Sequence, residues 1–198
     1  MHTMESTLPL HTRAALRPAL VMAAIALLGF GLLYSLAGTG LGRALFPQQA
    51  TGSLIKRDGS AVASLLVAQP FADARYLQPR PSAANYDPMA AAGSNQARTN
   101  PEAIQRITDT RADVAARDGI AVDAVAPELT TQSGGGLDPD ISPAAAQQQV
   151  ARIARARGLD EAIVRKAIAD ATQAPQFGLL GPARVNVVRA NLALDARR

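Results

Sequence analysis

Four consecutive residues, Ser133-Gly134-Gly135-Gly136, are the candidate anion cradle of this sequence, because glycine lets backbone amides approach a phosphate closely. The cluster lacks the spacing and the lysine of a P-loop, and its composition suits a flexible turn equally well. Just downstream, Asp138 and Asp140 flank Pro139 and offer two carboxylates for acid and base work. An Asp-Pro step also starts turns, and the Ile141-Ser142-Pro143 that follows has the form of a helix cap. Arg152, Arg155, Arg157, Arg165 and Lys166 lie on two helical stretches joined by Arg157-Gly158-Leu159, the outline of a helix-turn-helix with phosphate contacts. The same charges fit the solvent face of any amphipathic helix pair. Histidine occurs only as His2 and His11, and cysteine is absent. A triad with a histidine base, a zinc site built on His or Cys, a thiol nucleophile and disulfides are therefore excluded from the rest of the chain. Local chemistry alone describes a tethered interaction domain without catalytic apparatus.

The net charge of +4 is mild and its sources are scattered, which argues for a solvated surface and against nucleic acid as a partner. Aromatic residues make up 4% of the 198 and tryptophan is absent, so any core must be built from Ala, Val, Ile and Leu.

The elements that would position these residues begin with an anchor. No Asp, Glu, Lys or Arg occurs from 18 to 42. The dense apolar part, 18–37, spans ~30 Å as a helix at ~1.5 Å per residue, the thickness of a bilayer core. A single isolated span must be helical to satisfy its backbone, and Gly29 and Gly31 would let a neighbouring helix approach closely. A cleaved secretory signal is the competing reading, with Arg13 and Arg17 as basic flank and Ser35-Leu36-Ala37 as cleavage site. The apolar run is longer than the ~7–15 residues of a signal core, which favours the anchor. Arg43, Lys56 and Arg57 after the span offset Arg13 and Arg17 before it, so basic residues leave the orientation open. The chain thus divides into a leading tail (1–17), a transmembrane helix (18–38) and one soluble domain (39–198), with 39–50 as the exit from the membrane.

Within the domain, short extended segments are expected around 53–55 and 61–68, turning at Arg57-Asp58-Gly59. A Pro-, Asn- and Gly-rich loop runs over 69–100, a length that is usually functional or disordered. Asn100-Pro101-Glu102 opens a helix in which Ile104, Ile107, Arg111, Val114 and Ala115 recur at helical spacing and which stops at Gly119. Ser142-Pro143 opens a second helix with Val150, Ile153 and Ala154 inward, ending at Gly158. Asp160 caps a third, with Ile163, Val164, Ala167, Ile168 and Ala171 inward. The β-branched start and partial alternation of 185–194 predict a closing strand. Helices and strands do not alternate regularly, so the fold class is α+β: a single N-terminal transmembrane helix followed by one mixed domain.

Several blocks carry more than their chemistry. Arg80-Pro81-Ser82-Ala83 is followed by Tyr86, Gly93-Ser94-Asn95 and Thr99-Asn100-Pro101. The run from Ser133 to Pro143 continues through Ala145, Gln149 and Arg152 to Ala156-Arg157-Gly158-Leu159. Gly181-Pro182-Ala183-Arg184-Val185-Asn186-Val187 leads into Asn191-Leu192-Ala193-Leu194-Asp195. With Arg17-Pro18, Phe46-Pro47 and Ala50-Thr51-Gly52-Ser53, this ordered set resembles the C subunit of the bacterial Kdp potassium-transporting P-type ATPase, the KdpC family. The likeness covers nearly the whole chain. It departs at Ala91 and Ala92, where the family usually shows Ser-Gly before its Gly-Ser-Asn, at Gln96-Ala97-Arg98, and at Asp140, where His or Asn is common.

The resemblance implies a non-catalytic, single-pass subunit of a potassium importer in the bacterial inner membrane. Its partners would be a channel-like potassium-conducting subunit, an ATP-hydrolysing P-type subunit and a small single-span accessory subunit, besides membrane lipid. The family role is assembly and activity, with a proposed catalytic-chaperone function that raises affinity for ATP. No cofactor of its own is implied, and ATP would be met only through the complex. The nearest match to a nucleotide signature is Ser133, Gly134, Gly135 and Gly136, with Gln147, Gln148 or Gln149 downstream. Arg80, Ser82, Gly93, Ser94 and Asn95 are the candidate partner contacts. The family also places this domain outside the cytoplasm near the potassium entrance, where it cannot touch cytosolic ATP; coupling through the assembled complex remains open to it. The alternative is a signal-anchored extracytoplasmic binding module unrelated to transport, and an anchored hydrolase is disfavoured by the missing histidine, cysteine and metal constellation.

Overall fold

A computed structural model describes residues 12–197, so the leading segment that carries His2 and His11 lies outside the described residues. The chain forms two compact units that meet at Thr51 and Gly52.

The first unit is one helical rod. It is α-helical over Thr12–Ala24 (α1), π-helical over Ile25–Leu33, and α-helical again over Tyr34–Leu45 (α2). The 31-residue stretch Ala15–Leu45 is long and apolar enough to cross a membrane, and none of it is buried within the protein. Leu20, Val21, Phe30, Leu33 and Leu36 are all more than half exposed, a surface that water would not tolerate and hydrocarbon would. The rod continues into the expected exit at 39–50: Gly38, Gly40 and Gly42 stay helical, and the helix ends at Leu45, with Phe46 as its C-cap just before Pro47.

The second unit is the mixed domain. Leu54–Arg57 (β1) and Ser60–Ser64 (β2) pair antiparallel, with a register shift between Ile55 and Lys56. Asp58 (φ 51°) and Gly59 (φ 80°) supply the two left-handed residues of the tight turn that the Asp-Gly step predicts. The 69–100 loop follows, without a strand or a longer helix than the single turn Pro88–Ala90. The long helix α3 (Pro101–Asp118) has the expected ends: the Asn100 side chain accepts from the Glu102 amide, and Gly119 closes it. Its buried side is Ala103, Val114, Ala115 and Asp118, while Ile104 is half exposed, so the expected stripe is rotated toward Asp118.

The expected second helix is two. Ser142 caps α4 (Pro143–Gln148), the chain breaks at Gln149, and α5 (Val150–Arg157) continues to Gly158. Asp160 caps α6 (Glu161–Asp170), which buries Val164, Ala167 and Ile168 but leaves Ile163 partly exposed. A small antiparallel sheet has the order β3-β5-β4, from Asp140–Ile141 (β3), Thr172–Gln173 (β4) and Arg184–Asn186 (β5).

The closing strand over 185–194 is corrected. Only its first residues are extended, and Val187–Asp195 is a helix, α7. Asn186 makes the change: its side chain accepts from the Arg189 amide as an N-cap, while its backbone still pairs with Asp140. From there Val187, Val188, Asn191 and Leu194 recur at helical spacing and are buried. The core, centred on Leu77, Ile141, Val150, Ile153, Val164, Val185 and Leu194, is aliphatic throughout, as the scarcity of aromatics requires.

Candidate functional site: a loop joint beneath a strapped arginine

The candidate residues fall into two neighbouring networks. The first joins the 80–95 loop to the glycine cluster. Ser133 is buried, its amide donates to the Pro81 carbonyl at 3.2 Å, and its carbonyl accepts from Gly136 at 3.2 Å. Two glycines are required by close approach. A Cβ on Gly93 would stand 2.5 Å from the Gly134 oxygen, and one on Gly136 (φ 71°) would meet the Ala92 oxygen at 2.9 Å and Ser82 Oγ at 3.0 Å. Ser133 and Gly136 of the expected nucleotide residues therefore share one packed joint with Ser82 and Gly93 of the expected partner contacts. Gly134 and Gly135 face outward from it, with open space where a side chain would be.

The loop's other end is folded on itself. Ser82 Oγ accepts from the amides of Ala84 (3.1 Å) and Tyr86 (2.9 Å), and Tyr86 Oη donates to the Arg80 carbonyl at 2.9 Å. Arg80 reaches back to the Gln132 carbonyl (3.2 Å) and to Asp138 (3.6 Å). Ser94 and Asn95 are exposed at the rim, Asn95 in a left-handed conformation (φ 51°). Asp138 and Asp140 do not converge as an acid–base pair: Asp138 accepts the Asp140 amide and faces Arg80, whereas Asp140 pairs with Arg184 at 2.9 Å.

Burial holds the Tyr86 phenol above its ordinary pKa. Ionisation would also remove the proton it donates to Arg80. The folded value is raised, so stability is complete below about pH 10, the unfolded tyrosine's range, and falls as pH rises beyond it. Alkaline unfolding of wild type should accordingly begin at lower pH than that of Tyr86→Phe, followed by circular dichroism; superimposable profiles would contradict this.

The second network straps residues 74–78 to the helices. The guanidinium of Arg152, placed among the solvent-facing charges by its helical position, is 5% exposed. Its Nε donates to Asp118 Oδ1 at 2.6 Å, Nη1 to the carbonyls of Ala74 and Tyr76, and Nη2 to Gln149 Oε1 at 2.7 Å. Burial pushes its pKa below the ordinary arginine value, and Asp118 opposes that shift. Gln149, where the helix breaks, accepts from the Gln78 amide (2.8 Å) and donates to the Gln78 carbonyl (3.1 Å). Asn191 treats Leu77 in the same way, at 2.8 and 2.9 Å. Two side-chain amides thus substitute for a neighbouring strand along adjacent strap residues. Arg157 completes the hold through the Arg75 and Leu194 carbonyls and Asp195, with its guanidinium 5.0 Å from the Tyr76 ring centre. Gln148 is likewise turned inward, to Ala124 and Ala126, and only Gln147 of the three glutamines is exposed.

Sequence reasoning missed Asp118, Asn191 and the burial of Arg152, because each partner lies dozens of positions away. A cleft of about 500 Å³ beside the strap is lined by Arg57, Arg75, Arg157 and Arg197 with Tyr76 and Asp195, but three of these arginines are already paired with Asp73, Asp195 and Asp170. Among the described residues, no three acidic or histidine side chains converge on a metal position. The arrangement is that of a joint that fixes two loops on a helical core.

Residues 16–196 match the family described as the K+-transporting ATPase, c chain. The chain belongs to the KdpC family. It is 61% identical over 192 residues to the potassium-transporting ATPase KdpC subunit of Xanthomonas oryzae pv. oryzae, covering 97% of this chain and 92% of that one. KdpC subunits from Gemmatimonas aurantiaca (49% over 184 residues; 91% of this chain and 92% of that one) and Shewanella putrefaciens (48% over 165 residues; 83% of each) are also similar. The single apolar helix followed by a mixed domain is thus the architecture of this KdpC family member, and the likeness of its loops extends to the whole chain.

Proposed function

We propose that this chain is the membrane-anchored, non-catalytic subunit of an ATP-driven potassium importer. The observation that carries this reading is the full-length similarity to potassium-transporting ATPase KdpC subunits, from the spanning helix to α7. The domain stands on the extracytoplasmic side, near the potassium entrance of the channel-like subunit, and its role there is assembly and control of entry. The P-type subunit hydrolyses ATP, and any effect of this chain on ATP affinity runs through the assembled complex. The inward hydrogen bonding of Ser133 and Gln149 supports that indirect route over a direct nucleotide contact at Ser133–Gly136.

Orientation decides between the two routes, and the cysteine-free sequence makes it measurable. Ser94→Cys places a single thiol on an exposed residue. A membrane-impermeant maleimide should label it in intact cells. Protection in intact cells with labelling after lysis would put the domain in the cytoplasm and restore direct ATP contact.

A further inference from the structure

Between β4 and β5 the chain makes a turn, 174–183, that contains no charged residue. Phe177, Leu179 and Leu180 on its tip are 84%, 87% and 62% exposed, far outside the aliphatic core. The tip is hydrogen-bonded within itself. The Gln176 amide donates to the Leu180 carbonyl and the Leu180 amide to the Gln176 carbonyl, both at 2.9 Å. The amides of Gly178 and Leu179 donate to Pro175 and Gln176 at 2.9 and 3.2 Å. Phe177 is itself left-handed (φ 56°), an uncommon and strained state for an aromatic residue, followed by Gly178 at φ 74°. The turn presents apolar side chains outward while the amides of Gln176, Gly178, Leu179 and Leu180 are bonded within it. That combination suits entry into an apolar medium, where unpaired amides would be prohibitive.

The connection to the anchor identifies the medium. Only residues 46–51 separate the spanning helix from the folded domain, a reach of at most about 25 Å from Leu45 to Gly52. A domain of this size has a radius of gyration of about 15 Å, so its surface stays within reach of the bilayer to which it is tied. Tethering raises the local concentration enough for a tip of three side chains to engage, although untethered it would bind weakly. A specific protein partner generally needs about 800 Å² per side with a polar rim, and this turn offers a few apolar side chains and the single polar Gln176. We propose that the 174–183 turn is a membrane-contact tip whose Phe177, Leu179 and Leu180 insert into the interfacial region of the bilayer that anchors the chain. The proposal rests on the anchored helix and holds whichever side the domain occupies.

The chain has no tryptophan, so Phe177→Trp places a single, selectively excitable indole at the tip. The full chain carrying it is reconstituted in phosphatidylcholine vesicles, with and without brominated acyl chains. An indole seated ~5–10 Å deep should show blue-shifted emission and about twofold quenching by the brominated lipid. Adding Leu179→Asp and Leu180→Asp should return the emission to that of a water-exposed indole. Water-like emission from the single variant, quenched by aqueous acrylamide and indifferent to bromine, would overturn the proposal. So would a blue shift that arises only when the other pump subunits are present and that bromine leaves untouched, which would assign the tip to a protein pocket. Failure of the chain to float with vesicles would remove the anchor and the tip together, leaving subunit assembly to be judged by co-purification.

Discussion

Replacing Arg152 with alanine should destabilise the domain by about 3–5 kcal/mol, the range seen when one partner of a buried ion pair is removed. The carboxylate of Asp118 is fully buried and would keep only Arg117, which lies partly in solvent. The Ala74 and Tyr76 carbonyls and the Gln149 amide oxygen would lose the donor that ties the strap to α5. That loss is a large fraction of the ~5–15 kcal/mol by which domains of this size are stable. Denaturant unfolding of the full chain in detergent measures it. The double variant Asp118→Leu with Arg152→Met should be less damaging than Arg152→Ala alone, because it removes both charges and leaves none stranded. A single variant within ~0.5 kcal/mol of wild type would show that the network contributes only surface-like pairing.

The glycine joint gives the second large effect. Gly136→Ala combines a left-handed φ with contacts at 2.9 Å to a carbonyl and 3.0 Å to Ala84 and Ser82, so a cost of roughly 2–4 kcal/mol is expected. Gly93→Ala meets the Gly134 backbone at 2.5 Å and should behave similarly, since backbone on both sides has little room to yield. Gly135→Ala faces open space at ordinary φ and should change stability by less than ~0.5 kcal/mol. Thermal melts of the three variants separate a packing joint from a flexible turn: equal and negligible effects at all three positions would contradict the joint.

Local signals were legible wherever the physics is local. Asn100, Ser142 and Asp160 each cap the helix they precede, and Gly119 and Gly158 end theirs, because capping is decided within four residues. The Asp58-Gly59 turn and the irregular course of the 69–100 loop followed for the same reason. The misreadings have a common origin in distance. Val185 and its β-branched neighbours suggested a strand through 194, but Asn186 both ends the pairing with Asp140 and caps α7, and only the core that receives Val188 and Leu194 decides between the two. Arg152 occupies a position that helical spacing leaves free to face solvent, and its burial depends on Asp118, 34 positions earlier. The contact of Gly93 with Gly134 leaves no trace in periodicity, so the ordered likeness to the KdpC family was the only sequence signal that grouped those blocks. Helix α2 continues through Gly38, Gly40 and Gly42 into the expected exit, against the local signal of its glycines.

The central claim, that this chain is one subunit of an ATP-driven potassium importer, is tested most directly by purifying it from its own membrane. A tagged full chain extracted in mild detergent should bring with it a P-type ATPase polypeptide and a multi-span channel-like subunit. The eluate should hydrolyse ATP with potassium stimulation. A solitary chain, with no co-purifying polypeptide and no potassium-stimulated ATP hydrolysis, would contradict the account.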